Sequence, residues 1–214
     1  LDVPSSSVVA VVGGDGAGKT TLLRCLAGHL APTSGEVRRA DRRLLGYMPS
    51  TSGTWRDLTV DENIDFVAGA FAMSPGDRAA RRRRLLDRAG LGGDADRLAR
   101  DLSGGMRQKL GLVMAVLHEP ELLVLDEPST GVDPVSRVEL WRLIAQAAAG
   151  GAAVVMSTSY LDEAERASCI SVLDQGRTIT VGSRDEVMAA WPGTITEPSK
   201  PTNPDRAWRR GDTI

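Results

Sequence analysis

The 214-residue chain has only two cysteines, Cys25 and Cys169. Two cannot build a disulfide framework, and a cytosolic compartment fits. Both read as small apolar core residues without a chemical role. No run of eighteen apolar residues exists, so nothing here is expected to span a membrane. Nor is there an excess of charge of either sign. The formal net charge of −2 argues against a nucleic-acid partner held by bulk electrostatics. Leu1–Ser7 is neither basic nor long and apolar, so it does not read as a signal peptide. Leu1 is not a start methionine and Asp212–Ile214 ends abruptly, as expected of a piece of a longer protein. Lysine is scarce, three residues against 23 arginines, which reads as compositional bias. What is present is ordinary globular material: 42% hydrophobic and 25% charged residues. That suffices for one compact domain, or a domain with a small added lobe.

Along the chain, short apolar runs alternate with helical patterns. Val8–Val12 predicts a strand buried on both faces, followed by a glycine-rich turn. Lys19–Leu30 predicts a helix with Leu22, Leu23, Leu26 and Leu30 on one stripe. Leu44–Met48 predicts a strand stopped by Pro49. Residues 56–101 change character, with helices expected over Val60–Ala72 and Pro75–Ala89. Within the second, Arg81–Arg84 is either a solvated helix face or a contact with a partner or anionic lipid. Alternation then resumes. Helices are expected at Ser103–His118, Pro134–Ala149 and Tyr160–Ala167, with strands at Leu122–Leu125, Ala153–Met156 and Ile170–Leu173. Gln175-Gly176 turns the last strand into a hairpin with Thr178–Val181. The expected fold is α/β: a mostly parallel sheet covered on both faces, interrupted by an all-helical insert. Pro192, Pro198, Pro201 and Pro204 mark residues 192–214 as a linker or tail.

Gly13-Gly14-Asp15-Gly16-Ala17-Gly18-Lys19-Thr20 fits the phosphate-loop pattern G-x-x-x-x-G-K-[ST], between a strand and a helix. Glycines let backbone N–H groups turn around phosphate oxygens, and the helix N-terminus adds partial positive charge. Lys19 should reach the β- and γ-phosphates of a nucleotide, Thr20 should bind Mg²⁺, and Thr21 can assist at the α-phosphate. The plainer alternative is a glycine-rich turn without a ligand. Leu122–Leu125 ends in Asp126-Glu127. Asp126 would hold Mg²⁺ through water, and Glu127 can polarise an attacking water. Strands often end in acidic residues, so the pair gains meaning only beside the phosphate loop.

Leu102-Ser103-Gly104-Gly105-Met106-Arg107-Gln108 stands about twenty residues before that strand. It resembles the signature motif of ABC-transporter nucleotide-binding domains, and the resemblance covers roughly residues 8–185. Ser103 suits a helix N-cap, and two glycines let backbone donors approach an anion. The resemblance implies a P-loop ATP-binding core at 1–55 and 106–191. It also implies a helical subdomain at 56–105 that ends in the signature. It implies ATP and Mg²⁺ as ligands, with Gly13, Gly14, Asp15, Gly16, Ala17, Gly18, Lys19, Thr20 and Thr21 in the chain's own site. Thr20 and Asp126 would hold the metal, and Glu127 and Lys19 would carry hydrolysis. Ser103, Gly104 and Gly105 would act on ATP held by a second nucleotide-binding domain in a head-to-tail dimer. Asp133, in Ser129–Pro134, would touch that partner domain; the plainer alternative is that it caps the next helix, and it can do both. Asp57–Asn63 resembles the start of the helical subdomain, beside the surface that receives a transmembrane subunit. The implied location is cytoplasmic, peripheral at the inner face of the membrane, with no nucleic-acid partner.

The chain departs from the family pattern at three places. Ser50 follows Gly46-Tyr47-Met48-Pro49 where the family carries the Q-loop glutamine. Ser159 stands where the switch histidine is expected, in Ser157-Thr158-Ser159-Tyr160-Leu161-Asp162-Glu163. No aromatic precedes Gly13 to stack on adenine. A serine reaches less far than glutamine and offers no imidazole N–H. The expectation is therefore an ATPase domain with a weak, degenerate site of its own and an intact signature. The overall pattern most resembles the N-terminal domain of bacterial tandem-domain drug-efflux ATPases. A regulatory nucleotide-binding module and a non-transport ABC ATPase are the alternatives.

Overall fold

Residues 1–190 are described in a computed structural model; the Pro-rich stretch 192–214 lies outside the described residues. Six strands form one sheet. They are β1 (Ser7–Val12), β2 (Leu45–Met48), β3 (Leu122–Leu125), β4 (Ala153–Ser157), β5 (Cys169–Asp174) and β6 (Arg177–Gly182), in the order β2-β3-β4-β1-β5-β6. All neighbours are parallel except the β5–β6 hairpin. The central strands read as unbroken apolar runs because both faces are covered. Val9, Ala10, Val11, Leu123, Val124, Leu125, Val154, Val155 and Met156 are fully buried.

One face packs on α1 (Lys19–Leu26), with Leu23 and Ala27 against Val11, Val124 and Val155. The other face packs on a larger core built with α2 (Val60–Ala70), α3 (Pro75–Ala89), α4 (Gly104–Val116) and α5 (Pro134–Ala149). α4 is buried on almost every side, so it lacks a polar face and joins the helical block to the sheet. At Gly46 of β2, an added Cβ would lie 2.2 Å from the Ala115 carbonyl oxygen of α4. Only glycine permits that approach of strand and helix.

Helix starts follow local chemistry. Thr59 and Glu62 form a reciprocal capping box on α2. Ser74 caps α3 with Pro75 in its first turn, and Gly90, at φ 66°, ends it. Ser103 caps α4 by accepting the Met106 N–H, as expected. Asp133 caps α5 by accepting the Val135 and Ser136 N–H groups. Those donors hold its carboxyl below the usual range, the Ser136 N–H foremost.

Three expectations need correction, and one helix was not expected. The first helix ends at Leu26, not Leu30, because Gly28 turns left-handed at φ 76°; Leu30 is exposed rather than on the apolar stripe. The helix expected at Tyr160–Ala167 is the single turn α6 (Leu161–Ala164). A seventh helix, α7 (Arg184–Ala189), follows β6 with a Ser183–Glu186 capping box. Cys25 and Cys169 are half-buried and free, not core residues. Three of the four consecutive arginines pair with acids inside the chain. Arg81 and Arg84 both reach Glu119, at 2.9 and 2.7 Å, and Arg82 pairs with Asp61. That run therefore ties helices together.

Candidate nucleotide site

The loop from Gly13 to Gly18 leaves the end of β1 and enters α1. Gly16 and Gly18 take φ of 77° and 101°, which side chains with a Cβ rarely adopt. An added Cβ at Gly13 would lie 2.3 Å from the Leu173 carbonyl oxygen, whereas Gly14 and Gly16 face open space. Gly18 is the N-cap of α1 and supplies no side-chain cap. The first-turn amides of α1 therefore point outward without a side-chain acceptor, the arrangement that receives an anion. Lys19 is buried, and its Nζ donates to the carbonyls of Gly13 at 2.8 Å and Gly14 at 3.4 Å. The same ammonium stands 3.4 Å from Glu127 Oε1.

The acidic pair lies across the cavity, at the end of β3. Asp126 is buried; its Oδ1 accepts from Thr20 Oγ1 at 3.1 Å and from Ser157 Oγ at 2.8 Å. Thr20 and Asp126 thus meet although 106 residues separate them. Among the described residues no cluster of three or more His, Cys, Asp or Glu side chains could hold a metal unaided. A hydroxyl and one carboxylate beside a phosphate loop fit Mg²⁺, which keeps waters and takes phosphate oxygens as ligands. Glu127 departs from its strand into the left-handed region at φ 48°, and its N–H donates to Ser157 Oγ at 2.9 Å. Its carboxylate is held at both oxygens. Ser159 Oγ donates to Oε1 and Thr130 Oγ1 to Oε2, each at 2.8 Å.

A cavity of about 340 Å³ gathers these groups: Gly14, Asp15, Gly16, Ala17, Lys19, Thr20, Ser50, Glu127, Thr130 and Ser159 line it. Two of the three departures from the family pattern, Ser50 and Ser159, therefore line the same cavity as the phosphate loop. Thr21, at the exposed side of α1, does not line it. Ser103, Gly104 and Gly105 do not line it either. They sit at the start of α4, where Gly105 packs against Ser136 and Val132 and Gly104 faces the Gly131 carbonyl. Gln108, one turn into α4, donates to the Ser50 carbonyl at 3.2 Å and so links this helix to the loop after β2. Buried Asn63 holds that loop further on, through the Trp55 N–H and the carbonyls of Trp55, Leu58 and Thr59. Beside it opens a groove of about 420 Å³ that includes Tyr47, Trp55, Phe71, Met114 and His118. Two of its lining rings, Phe71 and His118, stack on each other at 3.7 Å.

The model of the family described as ABC transporter matches residues 1–130. The chain belongs to the ABC-transporter ATP-binding domains. It is 44% identical over 185 residues to the Escherichia coli (strain K12) Probable multidrug ABC transporter ATP-binding protein YbhF, covering 82% of this chain and 32% of that protein. It is 35% identical over 199 residues to the Nod factor export ATP-binding protein I of Cupriavidus metallidurans, covering 88% and 66%. The chain thus spans between a third and two thirds of these relatives. A solved ATP-binding subunit of an ABC transporter superposes with a TM-score of 0.80 at 29% identity, over 88% of this chain and 83% of that one. The fold of this ABC domain is therefore the expected one, and no described helix is long and apolar enough to cross a membrane.

Within this ABC domain, reading the sequence missed two residues that order the acidic pair. Ser157 bridges Asp126 and Glu127, and Thr130 holds Glu127. A hydroxyl at the end of a strand or inside a turn carries no pattern that would have marked either.

Proposed function

We propose that this domain binds ATP–Mg²⁺ in the cavity between Gly13–Thr21 and Asp126-Glu127. In this reading it is the motor of a transporter, most simply an exporter of drug-like molecules. Lys19 and the loop amides take the phosphates, Thr20 and Asp126 hold the metal, and Glu127 polarises water. When bound, Mg²⁺ neutralises phosphate charge. Residues 1–55 and 106–191 act as the ATP-binding core, and residues 56–105 as the subdomain that carries the signature. Ser103, Gly104 and Gly105, which do not line the domain's own cavity, serve ATP on a second nucleotide-binding domain, head to tail. The groove beside Trp55 and Phe71 receives a transmembrane subunit, which places the domain at the inner membrane face. Printed names of relatives, multidrug in Escherichia coli and daunorubicin resistance in Streptomyces coeruleorubidus, support export.

The observation that carries this reading is that Lys19, Thr20 and Glu127 line one cavity, with buried Asp126 hydrogen-bonded to Thr20 Oγ1. The same cavity supports a weak site. Two of its polar positions are Ser50 and Ser159, and losing groups that act on the γ-phosphate or on water costs about 10²–10³ in rate. The test is ATP affinity and turnover for the wild type, Lys19→Ala, and the pair Ser50→Gln with Ser159→His. Wild type should bind ATP, Lys19→Ala should lose binding, and the pair should hydrolyse faster at similar affinity. Wild-type turnover equal to that of the pair would refute the degenerate site. Turnover absent from wild type and pair alike, with ATP still bound, would favour a regulatory module.

A further inference from the structure

The hydrogen bonds around Glu127 go beyond a missing imidazole. We infer that Ser159 and Thr130 form an inhibitory clamp on Glu127, so that Ser159 restrains turnover actively. This rests on the nucleotide reading above and deepens it.

Each carboxylate oxygen has one hydroxyl donor at 2.8 Å, and Lys19 adds a cation 3.4 Å from Oε1. The backbone below is fixed as well, by the Ser157 hydroxyl under the Glu127 N–H. Glu127 is thus held from three segments: the turn after β3, the end of β4 and the start of α1. Its side chain is 16% exposed and lines the cavity. A carboxylate that polarises water must accept a hydrogen bond from that water, and stabilise positive charge on it, with its own lone pairs. Donors already seated on both oxygens withdraw that electron density and fix the plane of the group. Proton transfer from water to Oε1 has to displace Ser159 or Lys19, and at Oε2 water has only the lone pair that Thr130 leaves free. Ser159 is the switchable member, since its exposed hydroxyl bonds nothing else among the described residues.

If the only defect at position 159 were the lost imidazole, alanine would be no better than serine. The clamp gives the opposite result. In the full-length protein, Ser159→Ala and, separately, Thr130→Val should raise kcat for ATP about 2- to 10-fold, the scale of one hydrogen bond to a charged group. KM and the dissociation constant for ATP should stay within about twofold, because neither hydroxyl is asked to hold the nucleotide. In a Glu127→Gln background the gain should vanish, since both hydroxyls act through that carboxylate. Ser159 and Thr130 are positioning residues in this scheme, and a merely structural role would lower kcat instead of raising it. ATP bound with flat or reduced kcat in both variants overturns the clamp and leaves the nucleotide site standing. Failure of the wild type to bind ATP overturns the nucleotide reading and the clamp with it.

Discussion

Ser157→Ala removes one buried hydroxyl that ties the two acidic residues together. Its Oγ donates to Asp126 Oδ1 at 2.8 Å and accepts the Glu127 N–H at 2.9 Å. Losing the acceptor leaves that N–H without its partner, at about 1–3 kcal/mol, and the bond to the charged Asp126 is worth about 1.5–3 kcal/mol. The two overlap because one atom makes both. Glu127 also sits at φ 48°, a conformation that costs a residue with a Cβ about 1–2 kcal/mol and needs its tether. The expected loss of stability is about 2–4 kcal/mol, or about 4–16 °C in Tm for a chain of this size. Thermal unfolding followed by circular dichroism measures it. Ser157→Cys, close in volume but weaker in hydrogen bonding, should fall between alanine and wild type. Asp126 keeps its bond from Thr20, so the variant should fold and still bind ATP. A Tm for Ser157→Ala within about 1 °C of wild type would refute the reasoning.

Two further predictions concern the helical side. Lys109 of α4 is buried and reaches Glu139 of α5 at 2.7 Å, whereas Glu139 is 42% exposed. Removing the acid strands a buried ammonium, while removing the lysine leaves a carboxylate that water can solvate. Glu139→Ala should therefore lower Tm by clearly more than Lys109→Met, and the reverse order would contradict this account. Burial pushes the His118 imidazole below its ordinary range; the Leu45 carbonyl bond opposes that shift and the Arg81 charge adds to it. The unfolded chain then binds more protons than the folded one just below pH ~6.5. Stability is full above that value and is lost as pH falls through it and through the lower folded value. His118→Gln should flatten the fall in Tm between about pH 7.5 and 5, and parallel curves would refute it.

Much of the fold was legible because its signals were local. β3, α3 and α5 have the expected bounds: an unbroken LLVL run, and helices opened by Ser74-Pro75 and Asp133-Pro134. The misread end of α1 shows what periodicity overlooks. Leu30 continues the helical spacing, yet Gly28 breaks the helix, and its lack of a Cβ lets the Arg39 guanidinium lie against it. α6 stops after one turn in a densely tied segment. There Glu163 is buried, accepting from Thr158 Oγ1 at 2.7 Å and facing Arg137 at 3.5 Å, contacts that no local pattern announces. α7 was within reach, since Ser183 and Glu186 have the capping-box spacing, but six residues are too few to show an apolar stripe.

The candidate site divides along the same line. Lys19, Thr20, Asp126 and Glu127 stand in contiguous motifs whose chemistry can be read in one dimension. Thr130 and Ser159 acquire meaning only when the turn after β3 and the end of β4 are brought around one carboxylate. From sequence, Ser159 is a subtraction: a histidine replaced by a residue with less reach. In three dimensions it is also an addition, because a serine hydroxyl seated 2.8 Å from Glu127 Oε1 is a contact made by this chain's own residue. Subtraction and addition predict opposite signs for Ser159→Ala. A substitution at a catalytic position therefore has to be judged by what the new side chain binds as well as by what the old one did.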